Sequence, residues 1–197
     1  MTGILLVLGS YLLGSVPFSL ITGRRAAGVD VRLQGTRNPG ASNVWRLAGR
    51  RAGAVAGLAD FLKGVLPILT ARWLHLDVGW QMAAGVAAIL GHDFSAYLAL
   101  RGGKGGATTL GFFVCFSFPE LLVVGVLWAG GMLALKEKKF LWSVASLTVL
   151  PVLSTFELFR RPWTQVGVEA LLILLLWARV VPGLRSGGRD ARRQDQA

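Results

Sequence analysis

The sequence predicts an all-α integral membrane protein of about seven transmembrane helices, with the N-terminus outside and the C-terminus cytoplasmic. Three observations predict it. Hydrophobic residues are 53% of the 197 and charged residues 16%, against roughly 25% charged in soluble domains. Apolar runs recur along the chain, several near the length that a hydrocarbon core of about 30 Å requires. Lys and Arg number 21 against 10 acids, a net charge of +11, and the basic residues gather in alternate loops. A soluble nucleic-acid-binding domain of this charge would be less apolar, and a disordered basic chain would lack the apolar runs; no nucleic-acid partner is expected. Cys115 is the single cysteine and His75 and His92 are the two histidines. No internal disulfide is possible, and no metal centre or cofactor is expected.

The first span is 1–23, a run without a charged side chain. Its basic flank, Arg24 and Arg25, follows the run, so it reads as a true span and not as a cleaved signal peptide. Further spans are expected at 53–72, 79–99, 105–118, 120–135, 140–156 and 166–182, with a tight turn at Pro119 between the fourth and fifth. The segment 24–51 holds seven arginines, 101–104 holds Arg101 and Lys104, 136–139 reads KEKK, and five arginines follow residue 178. The turns at 73–78 and 118–120 hold no Lys or Arg. This alternation sets the orientation by the positive-inside tendency, with Arg160 and Arg161 as the exception. Most tryptophans lie near span ends, as interfacial anchors do. Residues 1–184 read as one polytopic domain and 185–197 as a polar basic tail; Pro182 and Gly183 are expected to break the last helix.

Three segments are too polar or too glycine-rich for spans. The stretch 30–51, DVRLQGTRNPGASNVWRLAGRR, combines turn formers with short hydrogen-bonding side chains and fixed positive charge. Converging backbone N–H groups and arginine forks suit phosphate oxygens; an ordinary basic loop is the competing reading. In 100–111, LRGGKGGATTLG, four glycines surround Lys104 ahead of Thr108 and Thr109. A glycine turn, a lysine and a helix N-terminus make an outline phosphate cradle, without the order of a Walker A loop. Ser143 and Ser146 in 140–147 share a helix face, which small-residue packing alone would explain. Asp60 and Lys63, at i and i+3 within the second span, form either a structural ion pair or part of a site. His92 is either a buried imidazole or a site residue, and Glu169 reads as interfacial. The chain offers no nucleophile–His–Asp set and no HEXXH motif, so positioning and electrostatics suit its residues better than covalent or metal chemistry.

GSVPFSLI at 14–21, DVRLQGTRNPGASNVWR at 30–46, ADFLKG at 59–64, GH at 91–92, RGGKGGAT at 101–108 and SVASL at 143–147 follow one another in this order. In order and spacing they resemble the bacterial membrane glycerol-3-phosphate acyltransferases that use acyl phosphate, the PlsY family, over residues 10–150. The resemblance implies a seven-span inner-membrane enzyme, multi-pass, with its site toward the cytoplasm. It implies transfer of an acyl chain from acyl phosphate to the sn-1 hydroxyl of glycerol 3-phosphate, giving lysophosphatidic acid and phosphate, without cofactor or metal. Implied partners are the two substrates, the lipid bilayer and other phospholipid-synthesis enzymes. Carried over by position, Thr36, Arg46, Lys104 and Ser143 are the catalytic set. Asn38, Gly40, Asn43, His92, Gly102, Gly103, Gly105 and Thr108 are the substrate-binding set. Arg46 and Lys104 would hold the glycerol 3-phosphate phosphate, with Thr36 and Ser143 donating hydrogen bonds. The N–H groups of 102–108 and Asn38 would hold the acyl phosphate.

Two departures accompany the resemblance. Arg37 stands where the family usually has glycine. The family's third motif carries a histidine and an asparagine, and LWARVVPGLRSGGRDARR here has neither. The alternatives are a diverged relative with another acceptor or no activity, an anion-binding membrane protein or transporter, and a non-catalytic assembly partner. The absence of an internal repeat weighs against the transporter.

Overall fold

The computed structural model describes residues 1–134, 149–153 and 162–194. Every regular element among them is helical. They are α1 (Thr2–Ser15), α2 (Phe18–Ala27), α3 (Ala41–Trp73), α4 (Val78–Asp93), a 3₁₀ turn (Ala96–Leu98), α5 (Gly106–Phe116), α6 (Phe118–Ala134), α7 (Leu150–Leu153) and α8 (Trp163–Gln194). The chain forms two compact units, Met1–Phe116 and Ser117–Ala197.

In the first unit α3 is central and packs on α2, α4 and α5, while α1 packs on α4. These pairs approach closely because glycine stands at the crossings. A Cβ added to Gly14 would lie 2.1 Å from the Ala88 carbonyl oxygen, and one added to Gly91 2.1 Å from that of Tyr11. On the other side, a Cβ at Gly64 would lie 2.0 Å from the Thr108 carbonyl oxygen. Small residues at crossings let apolar helices gain dispersion contacts where lipid removes the hydrophobic driving force. The stretches Thr2–Ala27 and Ala41–Trp73 are long and apolar enough to cross a membrane, with mean hydropathy 2.0 and 1.5.

Six of the seven expected spans are met by helices with different bounds; of the expected span 140–156 only residues 149–153 lie within the described residues. The first run is not one helix. Val16, forced out of the helical region ahead of Pro17, has ψ 119° and separates α1 from α2. The second begins twelve residues earlier than expected, at Ala41 rather than 53, and is interrupted at Gly49, whose φ of 87° and ψ of 172° fold the chain back. Trp45 therefore lies against the helix that follows: a Cβ on Gly53 would meet the Trp45 Cβ at 2.5 Å. α4 stops at Asp93, short of 99. Asp77 caps its N-terminus, accepting a hydrogen bond from the Trp80 N–H at 3.2 Å.

In the second unit, α7 packs on α6 and on α8. Pro119 sits in the first turn of α6, where its missing N–H costs nothing. Pro182 and Gly183 do not end α8, which continues to Gln194; a proline removes one main-chain bond, and a long helix on its N-terminal side sustains propagation. Glu169 is fully buried. It accepts hydrogen bonds from Ser117 Oγ and from Gln165 Nε2, the latter at 2.9 Å. The KEKK segment, Ser143, Ser146 and Arg160–Arg161 lie outside the described residues.

Candidate active site

The basic loop after α2 is built from its own side chains. Asp30 accepts hydrogen bonds from Arg32 Nε at 3.0 Å and from Arg24 and Arg32 Nη2 at 2.7 Å each. The bonded Arg32 guanidinium, with Arg24 beside it, holds the Asp30 carboxyl well below the usual carboxylate range. Asn43, fully buried, closes the loop. Its Oδ1 accepts from the Thr36 N–H at 3.0 Å, and its Nδ2 donates to the carbonyls of Val31 at 2.8 Å and Gln34 at 3.0 Å. Asn43, expected in the substrate-binding set, spends its amide on holding the loop that carries Thr36. Replacing Asn43 by alanine would remove all three bonds, the Gln34 carbonyl keeping only the Arg37 N–H at 3.0 Å. A loss of about 3 kcal/mol is expected, read as a lower unfolding midpoint of the purified protein.

Position 37 explains a departure seen in the sequence. Arg37 has φ 54°, a left-handed conformation that glycine adopts freely and a side chain does not. Arg37→Gly is expected to raise stability by about 0.5–1 kcal/mol, the relieved strain exceeding the added freedom of the unfolded chain. A thermal or denaturant melt of the two proteins checks this.

The second loop is fastened to the end of α4. The N–H of Gly102 donates to the Asp93 carbonyl at 3.1 Å and that of Gly103 to the His92 carbonyl at 3.0 Å. The glycines allow an approach no side chain would. A Cβ on Gly102 would lie 1.9 Å from the His92 carbonyl oxygen, and one on Gly103 2.2 Å from His92 Nε2. Gly105 has φ 70°, and a Cβ there would lie 2.5 Å from Asp93 Oδ1. α5 starts at Gly106, so its first-turn N–H groups, which have no intrahelical acceptor, follow the loop directly. Lys104 is half-buried between Gly103 and Gly105.

Beneath this loop lies a buried charged cluster. Asp60 Oδ1 is 3.0 Å from Lys63 Nζ and 3.5 Å from His92 Nδ1. Asp60 Oδ2 accepts from Ser19 Oγ at 2.9 Å. The Asp60 carbonyl accepts from Thr108 Oγ1 at 2.9 Å, tying α5 to α3. The Thr108 hydroxyl is committed to this helix contact, which leaves its N–H as the group expected at substrate. Lys63 Nζ also stands 5.2 Å from the centre of the Phe18 ring.

A small cavity joins these parts. It is lined by Pro17 and Phe18 at the α1–α2 break, Pro39 of the first loop, Asp60, Lys63 and His92, and Gly102 and Gly103 of the second loop. Of the expected residues, His92, Gly102 and Gly103 line it directly. Asn38 and Gly40 flank Pro39. Gly105 and Lys104 follow on the second loop. Thr36 and Arg46 are exposed, and Ser143 lies outside the described residues. The break at Val16–Pro17 is stitched to the same region. Ser95 Oγ donates to the Ser15 carbonyl at 2.6 Å and Tyr11 Oη to the Phe94 carbonyl at 2.8 Å. In the sequence Asp60 and Lys63 stand open between a structural ion pair and a site, and nothing there marks Ser19 as their partner. Two charges three residues apart in an apolar helix were the available signal.

Comparisons with known proteins agree with one another. Residues 4–185 match the family profile described as glycerol-3-phosphate acyltransferase. Relatives bearing that name include one from Geobacter metallireducens, 38% identical over 93% of this chain and 94% of its own. One from Pseudomonas putida is 35% identical over 88% and 89%. One from Geotalea daltonii is 48% identical over 58% of each chain. Two crystal structures of PlsY (YgiH), an integral membrane glycerol 3-phosphate acyltransferase, share the architecture. The glycerol 3-phosphate form has TM-score 0.83 at 28% identity, covering 94% of this chain and 91% of that one. The lysophosphatidic acid form has TM-score 0.80 at 28% identity, covering 95% and 93%. With the profile spanning nearly the whole chain and the helices superposing on a solved membrane enzyme, this chain is an all-α integral membrane protein that belongs to the glycerol-3-phosphate acyltransferase family.

Proposed function

We propose that this protein moves an acyl chain from acyl phosphate to the sn-1 hydroxyl of glycerol 3-phosphate, giving lysophosphatidic acid and inorganic phosphate. The observation that carries the reading is the meeting of both glycine-rich loops, at Pro39 and at Gly102–Gly103, on one cavity. Two phosphate-bearing substrates need two anion seats side by side. The relatives' names and the two ligand forms of PlsY support the acceptor and the product.

In this reading the acceptor oxygen attacks the acyl carbon, the carbon–oxygen bond to phosphate breaks, and the hydroxyl proton leaves on the departing phosphate. No protein base is needed. The chain's residues position and neutralise charge. Arg46 and Lys104 hold the acceptor phosphate, with Thr36 and Ser143 donating to it. Asn38 and the N–H groups after Gly103 hold the acyl phosphate, Gly40 and Gly105 giving the backbone room to approach. A groove of about 540 Å³ between α2 and α3 begins at Phe18, which also lines the cavity. Its walls are Ile21, Thr22, Ala26, Val55 and Ala59, with Arg25 at its edge, a surface suited to an acyl chain reaching the lipid.

The arginines of 24–51 and the basic loop at 101–104 support a cytoplasmic site in a bacterial inner membrane. Contact with other phospholipid-synthesis enzymes belongs to the same reading. The test is purified protein in a lipidic medium with palmitoyl phosphate and labelled glycerol 3-phosphate, scored for lysophosphatidic acid. Folded protein that makes none, but acylates another acceptor, would return the chain to the diverged-relative alternative.

A further inference from the structure

The roles assigned above leave a buried charged cluster of the first unit unused. Asp60 and Lys63 are each 2% exposed, and His92 is 7% exposed. Burying such groups costs several kcal/mol per ion before pairing, and apolar residues of the same size would join the helices more cheaply. The two carboxylate oxygens of Asp60 are engaged differently. Oδ2 has its hydrogen bond from Ser19. Oδ1 is ion-paired with Lys63 Nζ at 3.0 Å and faces His92 Nδ1, which completes no hydrogen bond. Their 3.5 Å separation needs only a few tenths of an ångström to close, and such contacts tighten when a ligand binds. The other edge of the imidazole, Nε2, lies against Gly103. Carboxylate, imidazole and glycine loop therefore stand in series, and the loop hangs from the His92 and Asp93 carbonyls.

We propose that Asp60 is a positioning residue that acts through His92, orienting the imidazole so that Nε2 meets a phosphate group held on the loop 102–105. The proposal rests on the reading of that loop as the acyl phosphate seat. Ser19 and Lys63 hold the carboxylate in place, and Thr108, bonded to the Asp60 carbonyl, sets the start of α5 against the same point. Orientation of a ring by a carboxylate at one nitrogen, leaving the other for the ligand, is how outer partners tune histidines elsewhere.

The test is a double-mutant cycle with Asp60→Asn and His92→Gln. His92→Gln is expected to lower kcat/KM for palmitoyl phosphate about 100-fold, as loss of one preorganised contact does. Asp60→Asn is expected to lower it about 10-fold or more, with KM for palmitoyl phosphate rising and KM for glycerol 3-phosphate unchanged. The double variant should match His92→Gln within about 2-fold, because Asp60 has no effect once its ring is gone. Wild-type kinetics in Asp60→Asn, or losses that multiply in the double variant, would overturn the proposal. Should Asp60→Asn fail to fold, Ser19→Ala replaces it, with an expected loss of about 3-fold that vanishes in the His92→Gln background; no loss in Ser19→Ala overturns the proposal equally. A second readout is independent of turnover: the rise in unfolding midpoint on adding inorganic phosphate. Wild-type protein should show the rise, and Asp60→Asn and His92→Gln should lose it alike. If wild-type protein makes no lysophosphatidic acid but this pattern holds, the acyltransferase reading has failed and the positioning role stands. If Asp60→Asn keeps the full rise, the positioning role has failed.

Discussion

Lys104→Ala is expected to abolish turnover, lowering kcat by about 1,000-fold or more while the protein keeps its fold. The lysine follows two glycines, Gly102 and Gly103, whose N–H groups are bonded to the end of α4, so its Cα is placed by main-chain bonds and not by its own side chain. Truncation therefore removes the ammonium and leaves the loop. A point charge placed against a transferring or anchoring phosphate stabilises the charge there, and loss of a single preorganised donor costs about 3–4 kcal/mol of transition-state stabilisation and a full charge more. Lys104→Arg separates charge from shape. A guanidinium keeps the charge in a planar fork, and partial activity is expected because the two cations are not geometrically equivalent. The measurement is formation of labelled lysophosphatidic acid from palmitoyl phosphate, with the unfolding midpoint of each variant as the check on integrity. Near-normal turnover by the alanine variant would remove Lys104 from the site.

Gly102→Ala is expected to lower kcat/KM about 100-fold and to destabilise the protein by roughly 1–3 kcal/mol. The added methyl would lie 1.9 Å from the His92 carbonyl oxygen and 2.9 Å from the Asp93 carbonyl carbon. Both atoms belong to the backbone of a helix end and cannot swing aside, so the loop must move. It would lose the two N–H bonds that fix Gly102 and Gly103. Overpacking carries a cost of this size, and a displacement near 1 Å at a phosphate seat costs about 100-fold in rate. Gly106→Ala is the control. A Cβ there meets nothing within 4 Å, and activity within about 2-fold of wild type is expected. Equal losses in the two variants would mean that the loop tolerates no side chain anywhere, and that close approach to α4 is not the reason.

Much of the architecture was legible because helices in a bilayer leave plain marks. Charge-free runs, basic alternate loops and Pro119 each report a local constraint. Pro17 carried its signal as well, since the residue ahead of a proline avoids the helical region, but a continuous apolar run concealed the break. The reversal at Gly49 was not legible. A glycine among helix formers is compatible with a straight helix, and only the packing of Trp45 on Gly53 selects the turn. Asn43 shows the same limit within the site. Its place in GASN suggested contact with a ligand, whereas its three hydrogen bonds go to residues seven to twelve positions earlier.

The sequence by itself determined the class of protein, the two glycine-rich basic loops and the chemistry they suit, because composition, charge sign and motif order are properties of the chain read in one direction. The tertiary structure decided which of those residues meet. It brought Pro39, His92 and Gly102–Gly103 to one cavity and turned Asn43 inward to hold the first loop. It also set Asp60, Lys63 and Ser19 beneath the second loop. The physical reason is that burial and hydrogen-bond partnership depend on distance across helices. Asp60 meets Ser19 from 41 positions away only because glycines let the helices of this unit pack closely.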